Sequence, residues 1–146
     1  MNHTQQAIAF REAMQQPMHA LDPAIWQMQQ QLIAEEAQEF MTESKVSIHM
    51  QAHANANRVF TTAEWQRQHV ATLKELADLA FVCFQYAAAM GWDLDEALNR
   101  VWTSNMSKLG DDGQPLRRDD GKVLKGPNYR PPDLTDLVQQ GPYNQL

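Results

Sequence analysis

Two long stretches of helix-forming residues limit most strongly what the chain can fold into. The first stretch runs from Ala24 to about Thr42 and consists of residues with high helix propensity. It follows Asp22 and Pro23, which suit the N-cap and the first position of a helix. Its apolar residues repeat at the spacing of a buried helical stripe: Ile25, Met28, Leu32 and Ile33. We therefore predict an amphipathic helix here.

The second stretch predicts a longer helix from Thr61 to Met90. Thr61 and Glu64 have the spacing of a capping box, and Gly91 can adopt the left-handed conformation that ends a helix. The second half of this helix, Leu79–Met90, is apolar nearly all round, so it should be buried on most sides. A chain of 146 residues cannot easily surround such a helix. We expect a partner subunit to help to cover it.

Two shorter helices are predicted on either side of this pair. One covers about Thr4 to Gln16 and ends at Pro17, which cannot continue a helix. The other begins with the capping pair Asp93 and Glu96 and continues to about Met106. The fold class predicted from these patterns is all-α.

The segment Ser44–Phe60, between the two long helices, is less regular, and we interpret it as a connecting loop or a short helix. His49 and His53 within it have the i, i+4 spacing of a shared helix face, so metal binding is an alternative to the favoured interpretation of a solvated polar segment. Trp26 and Trp102 could stack on a base, but their helical spacing is more typical of core residues.

After Ser107 the composition changes, and frequent glycine and proline exclude long regular elements. Basic residues are concentrated in this C-terminal tail: Lys108, Arg117, Arg118, Lys122, Lys125 and Arg130. We predict one domain over residues 1–146, with a helical core at 4–106 and an irregular basic tail at 107–146.

The charge balance excludes several classes of function. A net charge of −6 and a pI near 5.2 argue against general binding to nucleic acid or to an anionic membrane. The longest apolar stretch, Leu79–Met90, is too short to span a bilayer, which needs about 20 residues. The single cysteine, Cys83, cannot form a disulfide within the chain and suits a reducing cytoplasm. We expect a soluble cytoplasmic protein that does not associate with membranes.

Five carboxylates on the two long helices are the candidate chemical site. Glu35, Glu36 and Glu39 occupy a sector of about 100° on the first long helix. Glu75 and Asp78 are i, i+3 neighbours on the second, just before it becomes apolar all round. Facing carboxylates on two helices suggest hard cations with oxygen ligands, Mg²⁺ or Mn²⁺.

Alternatives to this site remain open. Lys74 lies about 100° round the helix from Glu75 and is expected to be a poor partner for Glu75 and Asp78. A di-iron site would use Glu-x-x-His motifs, which these positions lack. The acidic faces of the two helices could also be merely solvated, in a helical interaction module without enzymatic activity.

Glu36-x-x-Glu39 followed by Glu75-x-x-Asp78 resembles the signature of the all-α NTP pyrophosphohydrolases, the MazG-like superfamily. Three further segments are similar to a bacterial and phage branch of this superfamily that is described as phosphoribosyl-ATP pyrophosphohydrolase-like and includes MazG-like dUTPases. These segments are Ser104–Gly110, Asp120–Tyr129, and Phe10–Met14 with Pro17. Within this branch the chain also resembles the phage MazZ enzymes, which remove dGTP during synthesis of 2-aminoadenine DNA. The stretch between Glu39 and Glu75 is longer than is usual in the superfamily, so substrate identity transfers less safely than chemistry.

The resemblance implies a helical bundle completed by homo-oligomerisation, as a homodimer or homotetramer, in the cytoplasm of a bacterium or a phage-infected host. It implies hydrolysis of a (d)NTP such as dGTP at the α-phosphorus, with two or three Mg²⁺ ions per site, for which Mn²⁺ can substitute. The metal ligands would be Glu36, Glu39, Glu75 and Asp78. Glu35 would be the general base or a further ligand, and Glu36 would also take part in catalysis. The residues expected to bind substrate are Asn105, Lys108, Lys122, Lys125, Asn128 and Tyr129. Other substrates left open are dUTP, other house-cleaning nucleotides and phosphoribosyl-ATP.

Overall fold

The computed structural model describes residues 1–19 and 21–138. Its helices in chain order are α1 (His3–Ala13), α2 (Pro23–Asn55), α3 (Thr62–Met90), α4 (Leu94–Met106) and α5 (Thr135–Val138). The described residues contain isolated β-bridges but no strand, so the all-α prediction is confirmed. Within the same ranges, no helix combines the length and the apolar character that crossing a membrane requires.

The predicted ends of the two long helices are confirmed by their capping contacts. The Asp22 carboxylate accepts a hydrogen bond from the backbone N–H of Ala24, at 2.9 Å. Thr61 and Glu64 form a reciprocal capping box, in which each side chain accepts from the other residue's backbone N–H. Gly91 ends α3 in the left-handed conformation, with φ 75°. These caps provide hydrogen-bond partners for backbone groups that the helix ends would otherwise leave unpaired.

The expectation of a loop or short helix at Ser44–Phe60 is wrong, because α2 continues without a break to Asn55. The reason is the packing of α2 against α3. The antiparallel helix α3 lies alongside, and the hydroxyl oxygens of Ser47 and Thr72 are 2.9 Å apart. Gln68 also donates to Glu43, at 2.8 Å to its carboxylate and 3.1 Å to its carbonyl oxygen. These polar contacts between the helices therefore stabilise the C-terminal half of α2 against the N-terminal half of α3. His49 and His53 lie on this part of α2 and are exposed.

Helix α1 covers the C-terminal half of α3 within the same chain. Ala7 packs with Phe84 and Ala88 in the core, and Phe10 meets Phe81 edge to face at 5.4 Å between ring centroids. Residues 84–90 of α3 are mostly buried as a result. The chain therefore covers much of the apolar segment for which a partner subunit was expected, and its uncovered apolar residues lie elsewhere.

Two apolar stripes remain exposed, one on the N-terminal half of α3 and one on α4. The α3 stripe consists of Val70, Leu73 and Leu76, and Leu73 is 65% exposed. The α4 stripe consists of Leu98, Trp102 and Met106. Trp102 is 64% exposed, so its expected place in the core of the chain is wrong, whereas Trp26 is half-buried.

The tail folds back onto the end of α4. The Ser104 hydroxyl donates to the carbonyl oxygen of Arg130 at 2.7 Å, and the N–H of Gly126 donates to the carbonyl oxygen of Lys108 at 3.0 Å. A Cβ atom at Gly126 would lie 2.6 Å from that same oxygen, so only glycine allows this close approach. Over residues 107–138 the predicted tail contains only isolated β-bridges and the four-residue helix α5, and these hydrogen bonds hold it against α4; residues 139–146 of the predicted tail lie outside the described residues.

Candidate active site

Three of the predicted carboxylates converge between α2 and α3. Glu36, Glu75 and Asp78 each offer one oxygen, and these oxygens lie within 4.8 Å of one another. The i, i+3 spacing puts Glu75 and Asp78 on one face of α3, and the antiparallel pairing of the helices brings Glu36 opposite them. All three side chains are half-buried. We call these three residues the carboxylate group.

Two oxygens of the carboxylate group lack a partner. Glu36 Oε2 and Glu75 Oε2 are buried and accept no hydrogen bond from the described residues. Buried polar atoms are nearly always satisfied, so oxygens left unpaired in an acidic cluster indicate a missing positive partner. Donors that are all carboxylate oxygens fit a hard divalent cation such as Mg²⁺ or Mn²⁺. The residues present therefore fit the ion that the sequence suggested.

The electrostatics of Glu36 reflect this crowding. Burial raises the pKa of Glu36, because the ionised carboxyl loses hydration. The nearby negative charges of Glu39, Asp78 and Glu75 raise it further, and the ammonium of Lys74 lowers it. The site therefore holds its negative charge at a cost in free energy, which a bound cation would remove.

Lys74 is a close partner of the carboxylate group, contrary to expectation. Its Nζ lies 3.1 Å from Glu75 Oε1 and 2.9 Å from Asp78 Oδ2. These hydrogen bonds, to Asp78 first and then to Glu75, raise the pKa of Lys74 above its usual value. The angular argument failed because the flexible lysine stem reaches across the helix surface, and Asp78 is its i+4 neighbour. The i, i+4 rule would have found this pair in the sequence.

The structure separates the other two predicted carboxylates. Glu39 is close enough to Glu36 to raise its pKa, and with Glu75 it lines a cleft of about 240 Å³. Glu43, which the sequence interpretation did not single out, lines the same cleft. Glu35 is exposed and lies outside the carboxylate group.

The predicted substrate-binding residues form a second group, at the C-terminal end of α4. Lys108 Nζ donates to Asn105 Oδ1 at 2.6 Å, and Lys125 Nζ lies 4.4 Å from the centre of the Tyr129 ring. Asn128 donates to Asp111 at 2.6 Å. The Lys122 side chain is exposed on the turn that Gly121 makes with φ 85°. We call residues 105–129 the basic segment.

The basic segment and the carboxylate group are not joined in this chain. Among residues 1–19 and 21–138, no hydrogen bond or ion pair in the structure connects the two groups. Helix α4 packs against α1, and it has no extended packing against α2 or α3. Within the described residues, the two halves of the expected site are therefore not linked by a direct polar contact.

Comparison with known proteins connects this geometry to a family. The comparison with curated proteins gives no match. The family described as phosphoribosyl-ATP pyrophosphohydrolase matches residues 6–105, which include the whole carboxylate group. Because the match covers more than half of the 146 residues, the chain is a pyrophosphohydrolase that belongs to the phosphoribosyl-ATP pyrophosphohydrolase family, within the MazG-like all-α superfamily of NTP pyrophosphohydrolases.

Proposed function

We propose that this protein hydrolyses a nucleoside triphosphate, in particular a dNTP such as dGTP, at the α-phosphorus, with Mg²⁺ as its cofactor. The observation that carries the proposal is the carboxylate group, with its two buried and unpartnered oxygens, on a fold of pyrophosphohydrolases. A triphosphate carries about four negative charges, so an acidic site can hold it only through divalent cations. The products are the nucleoside monophosphate and pyrophosphate.

In this proposal Glu36, Glu75 and Asp78 hold the cation, and Glu39 adds a ligand from the neighbouring cleft. Two or three Mg²⁺ ions occupy the site, and Mn²⁺ can replace them. When bound, the ions offset the charge that develops on the phosphate oxygens and lower the pKa of a water molecule. The ammonium of Lys74 is within reach of the same carboxylates, and it adds one positive charge beside them.

The chemical step needs a proton acceptor, and we assign Glu35 to this role. The oxygen of a water molecule bonds to the α-phosphorus, and the bond from that phosphorus to the bridging oxygen of the β-phosphate breaks. Pyrophosphate leaves with the electron pair, while the proton of the water passes to the Glu35 carboxylate. The exposure of Glu35 supports a role in proton exchange with solvent more than a role as a ligand.

The basic segment supplies the charge that binds the triphosphate. Lys108, Lys122 and Lys125 are its ammonium groups, and Lys122 forms no ion pair among the described residues. Asn105, Asn128 and Tyr129 contribute hydrogen bonds to ribose or phosphate. These lysines are proposed to act on binding, so their loss should raise KM more than it lowers kcat.

The decisive experiment measures the products from each of the eight common NTPs and dNTPs, with Mg²⁺ present and after its removal by EDTA. Pyrophosphate and monophosphate are expected, with dGTP among the preferred substrates. Orthophosphate as the primary product would contradict attack at the α-phosphorus. Asp78→Asn should abolish turnover, and Glu12→Gln is the matched control because Glu12 is an exposed carboxylate on α1.

Phosphoribosyl-ATP is the second candidate substrate, because the matched family is named for it. The chemistry is the same, and only the group attached to the α-phosphate differs. Competition between dGTP and phosphoribosyl-ATP at equal concentration separates the candidates. A kcat/KM higher for phosphoribosyl-ATP than for every dNTP would replace our assignment, and a preference for dUTP would indicate a house-cleaning role.

We also propose that the protein acts as a homodimer or homotetramer in a cytoplasm. The exposed stripes on α3 and α4 support assembly, because contiguous apolar surface is uncommon on monomers. A reducing compartment accords with the single cysteine of the sequence, Cys83. Sedimentation or mass photometry at working concentration measures the assembly state directly.

A further inference from the structure

We propose that the cavity between α1 and the turn from α3 to α4 is a second binding site, which takes an uncharged adenine base or adenine nucleoside. We call this space the distal cavity. Its walls include Ile8 of α1, His19, Ala88 of α3, Trp92, and Leu137 of α5. This proposal goes beyond the proposed function and does not depend on it.

The distal cavity is large enough for such a ligand, and it is separate from the carboxylate group. Its volume is about 350 Å³, which is within the range of about 300–1,000 Å³ usual for small-molecule sites. Ala88 lies about 15 Å further along α3 than Asp78 at the helical rise. No residue of the carboxylate group lines the cavity. A ligand bound there therefore does not need the metal site.

The wall of the distal cavity includes a hydrogen-bond donor without a partner. The indole N–H of Trp92 is buried, and it donates to no group in the part of the chain that the structure describes. The ring of Tyr86 packs against the indole, with 6.1 Å between the ring centroids. Buried donors are nearly always paired, so an unpaired donor beside a cavity indicates a missing acceptor.

The next residue, Asp93, supplies an acceptor. Its Oδ1 accepts from the hydroxyl of Thr4 at 3.3 Å and from the backbone N–H of Glu96 at 3.1 Å. Its Oδ2 accepts no hydrogen bond from residues 1–19 and 21–138. Two further polar residues of the lining, Asn2 and Gln5, bond to each other in the capping box of α1. Consecutive residues therefore offer one donor and one acceptor to a ligand.

This pair of groups matches the edge of adenine. Adenine presents an amino donor next to a ring-nitrogen acceptor, so the amino group would donate to Asp93 Oδ2 and the nitrogen would accept from the Trp92 N–H. Guanine presents two adjacent donors, which suit both oxygens of a carboxylate, and Oδ1 of Asp93 is already used. The negative charges of Asp93 and Asp95 would repel a phosphate. An uncharged base or nucleoside therefore fits better than a nucleotide.

The remaining walls suit a flat, largely apolar ligand. The imidazole of His19 lies against the backbone of Gly91, where a Cβ atom would be 2.3 Å from Nδ1. Gly91 also has φ 75°, so glycine is required both for the backbone conformation and for the close approach. Ile8 and Ala88 add apolar surface. Apolar walls with a few fixed polar groups are typical of small-molecule sites.

Helix α5 closes one side of the distal cavity with Leu137. Among the described residues, its polar attachment to α4 comes from one side chain, that of Arg100. This guanidinium donates to both carboxylate oxygens of Asp136 and to the carbonyl oxygen of Asp133. An exposed ion pair of this kind contributes little to stability, so α5 can move aside to admit a ligand at low cost in free energy.

The indole N–H of Trp92 gives a direct test. The sequence contains four tryptophans, so a ¹⁵N–¹H spectrum of the labelled full chain has four indole signals, and Trp92→Phe identifies the one from Trp92. Titration with 2′-deoxyadenosine in EDTA should shift this signal to saturation. 2′-Deoxyguanosine and dAMP should bind more weakly, because of the occupied Oδ1 and the repelled phosphate.

Two variants and their matched controls test the contacts, with calorimetry as the measurement. Trp92→Phe removes the donor and should weaken binding of 2′-deoxyadenosine about two- to tenfold. Asp93→Asn keeps the N-cap of α4 but replaces the free oxygen with a donor, and it should weaken binding at least about tenfold. The controls are Trp102→Phe, on an exposed part of α4, and Asp22→Asn, at the N-cap of α2. Both should bind as the wild type does.

The outcomes separate this site from the proposed active site. An unshifted Trp92 signal at the solubility limit of 2′-deoxyadenosine, or unchanged binding by Asp93→Asn, would overturn the proposal. Displacement of the nucleoside by α,β-methylene-dGTP with Mg²⁺ would also overturn it, since the cavity would then belong to the substrate site. Asp78→Asn should bind 2′-deoxyadenosine normally. If Trp92→Phe does not fold, Asp93→Asn decides, and release of pyrophosphate tests the proposed function independently.

Discussion

Replacing Glu36 with glutamine should stabilise the protein without metal while removing its response to Mg²⁺. Oxygens of three carboxylates lie within 4.8 Å, and at an effective dielectric constant of about 20 each pair repels by about 3–4 kcal/mol. The attraction between Lys74 and Asp78 cancels part of this repulsion. We expect a net gain of about 1–2 kcal/mol, which corresponds to a rise in Tm of about 2–8 °C for a chain of this size.

The pH dependence of this gain follows from the raised pKa of Glu36. Burial is the main cause of the rise, and the neighbouring carboxylates add to it. The folded state therefore binds the proton of Glu36 more tightly than the unfolded state does. Stability falls as the pH rises from the ordinary glutamate pKa through the raised one, and this loss is complete above the raised pKa. The advantage of Glu36→Gln should accordingly disappear below the ordinary glutamate pKa.

Thermal unfolding in EDTA and in excess Mg²⁺ measures both effects. Mg²⁺ at about 100 times its Kd stabilises the wild type by about 2.7 kcal/mol. Glu36→Gln should lose most of that gain together with its turnover, whereas Glu12→Gln should match the wild type in both conditions. A variant that is destabilised in EDTA and keeps the full Mg²⁺ response would refute the reasoning, because Glu36 would then be a structural carboxylate.

Three further substitutions test a helix cap, the packing of the tail and a buried polar side chain. Thr61→Ala removes the capping box of α3 and should cost about 1 kcal/mol of unfolding free energy with kcat unchanged; a large fall in kcat would mean that the helix start matters to the site. Gly126→Ala should weaken the attachment of the tail to α4, because the added Cβ would lie 2.6 Å from the carbonyl oxygen of Lys108. We expect faster proteolysis after Lys108 and a higher KM, and unchanged proteolysis would contradict this close contact. Gln29→Met replaces a buried side chain whose Oε1 has no partner, and it should raise stability by about 1–2 kcal/mol in chemical denaturation; a loss would indicate a hidden partner for Gln29.

The helix ends were predictable because their signals are local. Asp22 with Pro23, Thr61 with Glu64, and Gly91 each act within one turn, and the structure contains all of these caps. The carboxylate pairs were predictable for a similar reason, since i, i+3 spacing determines a face whatever the tertiary packing.

The extension of α2 was missed because polar composition was given more weight than the lack of helix breakers. The sequence contains no glycine or proline from Ala24 to Met90, and this signal favours a long α2. The sequence could not predict the polar contacts between α2 and α3 that stabilise the extension, because Glu43 and Gln68 come together only when the two helices pack as a hairpin.

Local sequence patterns also could not show that no direct polar contact joins the two halves of the predicted site among the described residues. Motif order suggests that the basic segment and the carboxylate group work together, but it does not say whether they meet within one chain. That depends on how α4 packs, and its contact with α1 involves residues about 90 positions apart, such as Thr4 and Asp95. Non-local packing of this kind leaves no spacing signal in the sequence.

The α2–α3 hairpin has a consequence for how this chain can change its length. Glu36 faces Glu75 at a level set by the pairing of the two helices, while the connection after Asn55 lies well beyond that level. Adding or removing whole turns in equal numbers on both helices moves the connection but not the carboxylates. The carboxylate group therefore tolerates changes in the length of the hairpin beyond it, and the end of the hairpin can acquire contacts of its own without moving these three side chains.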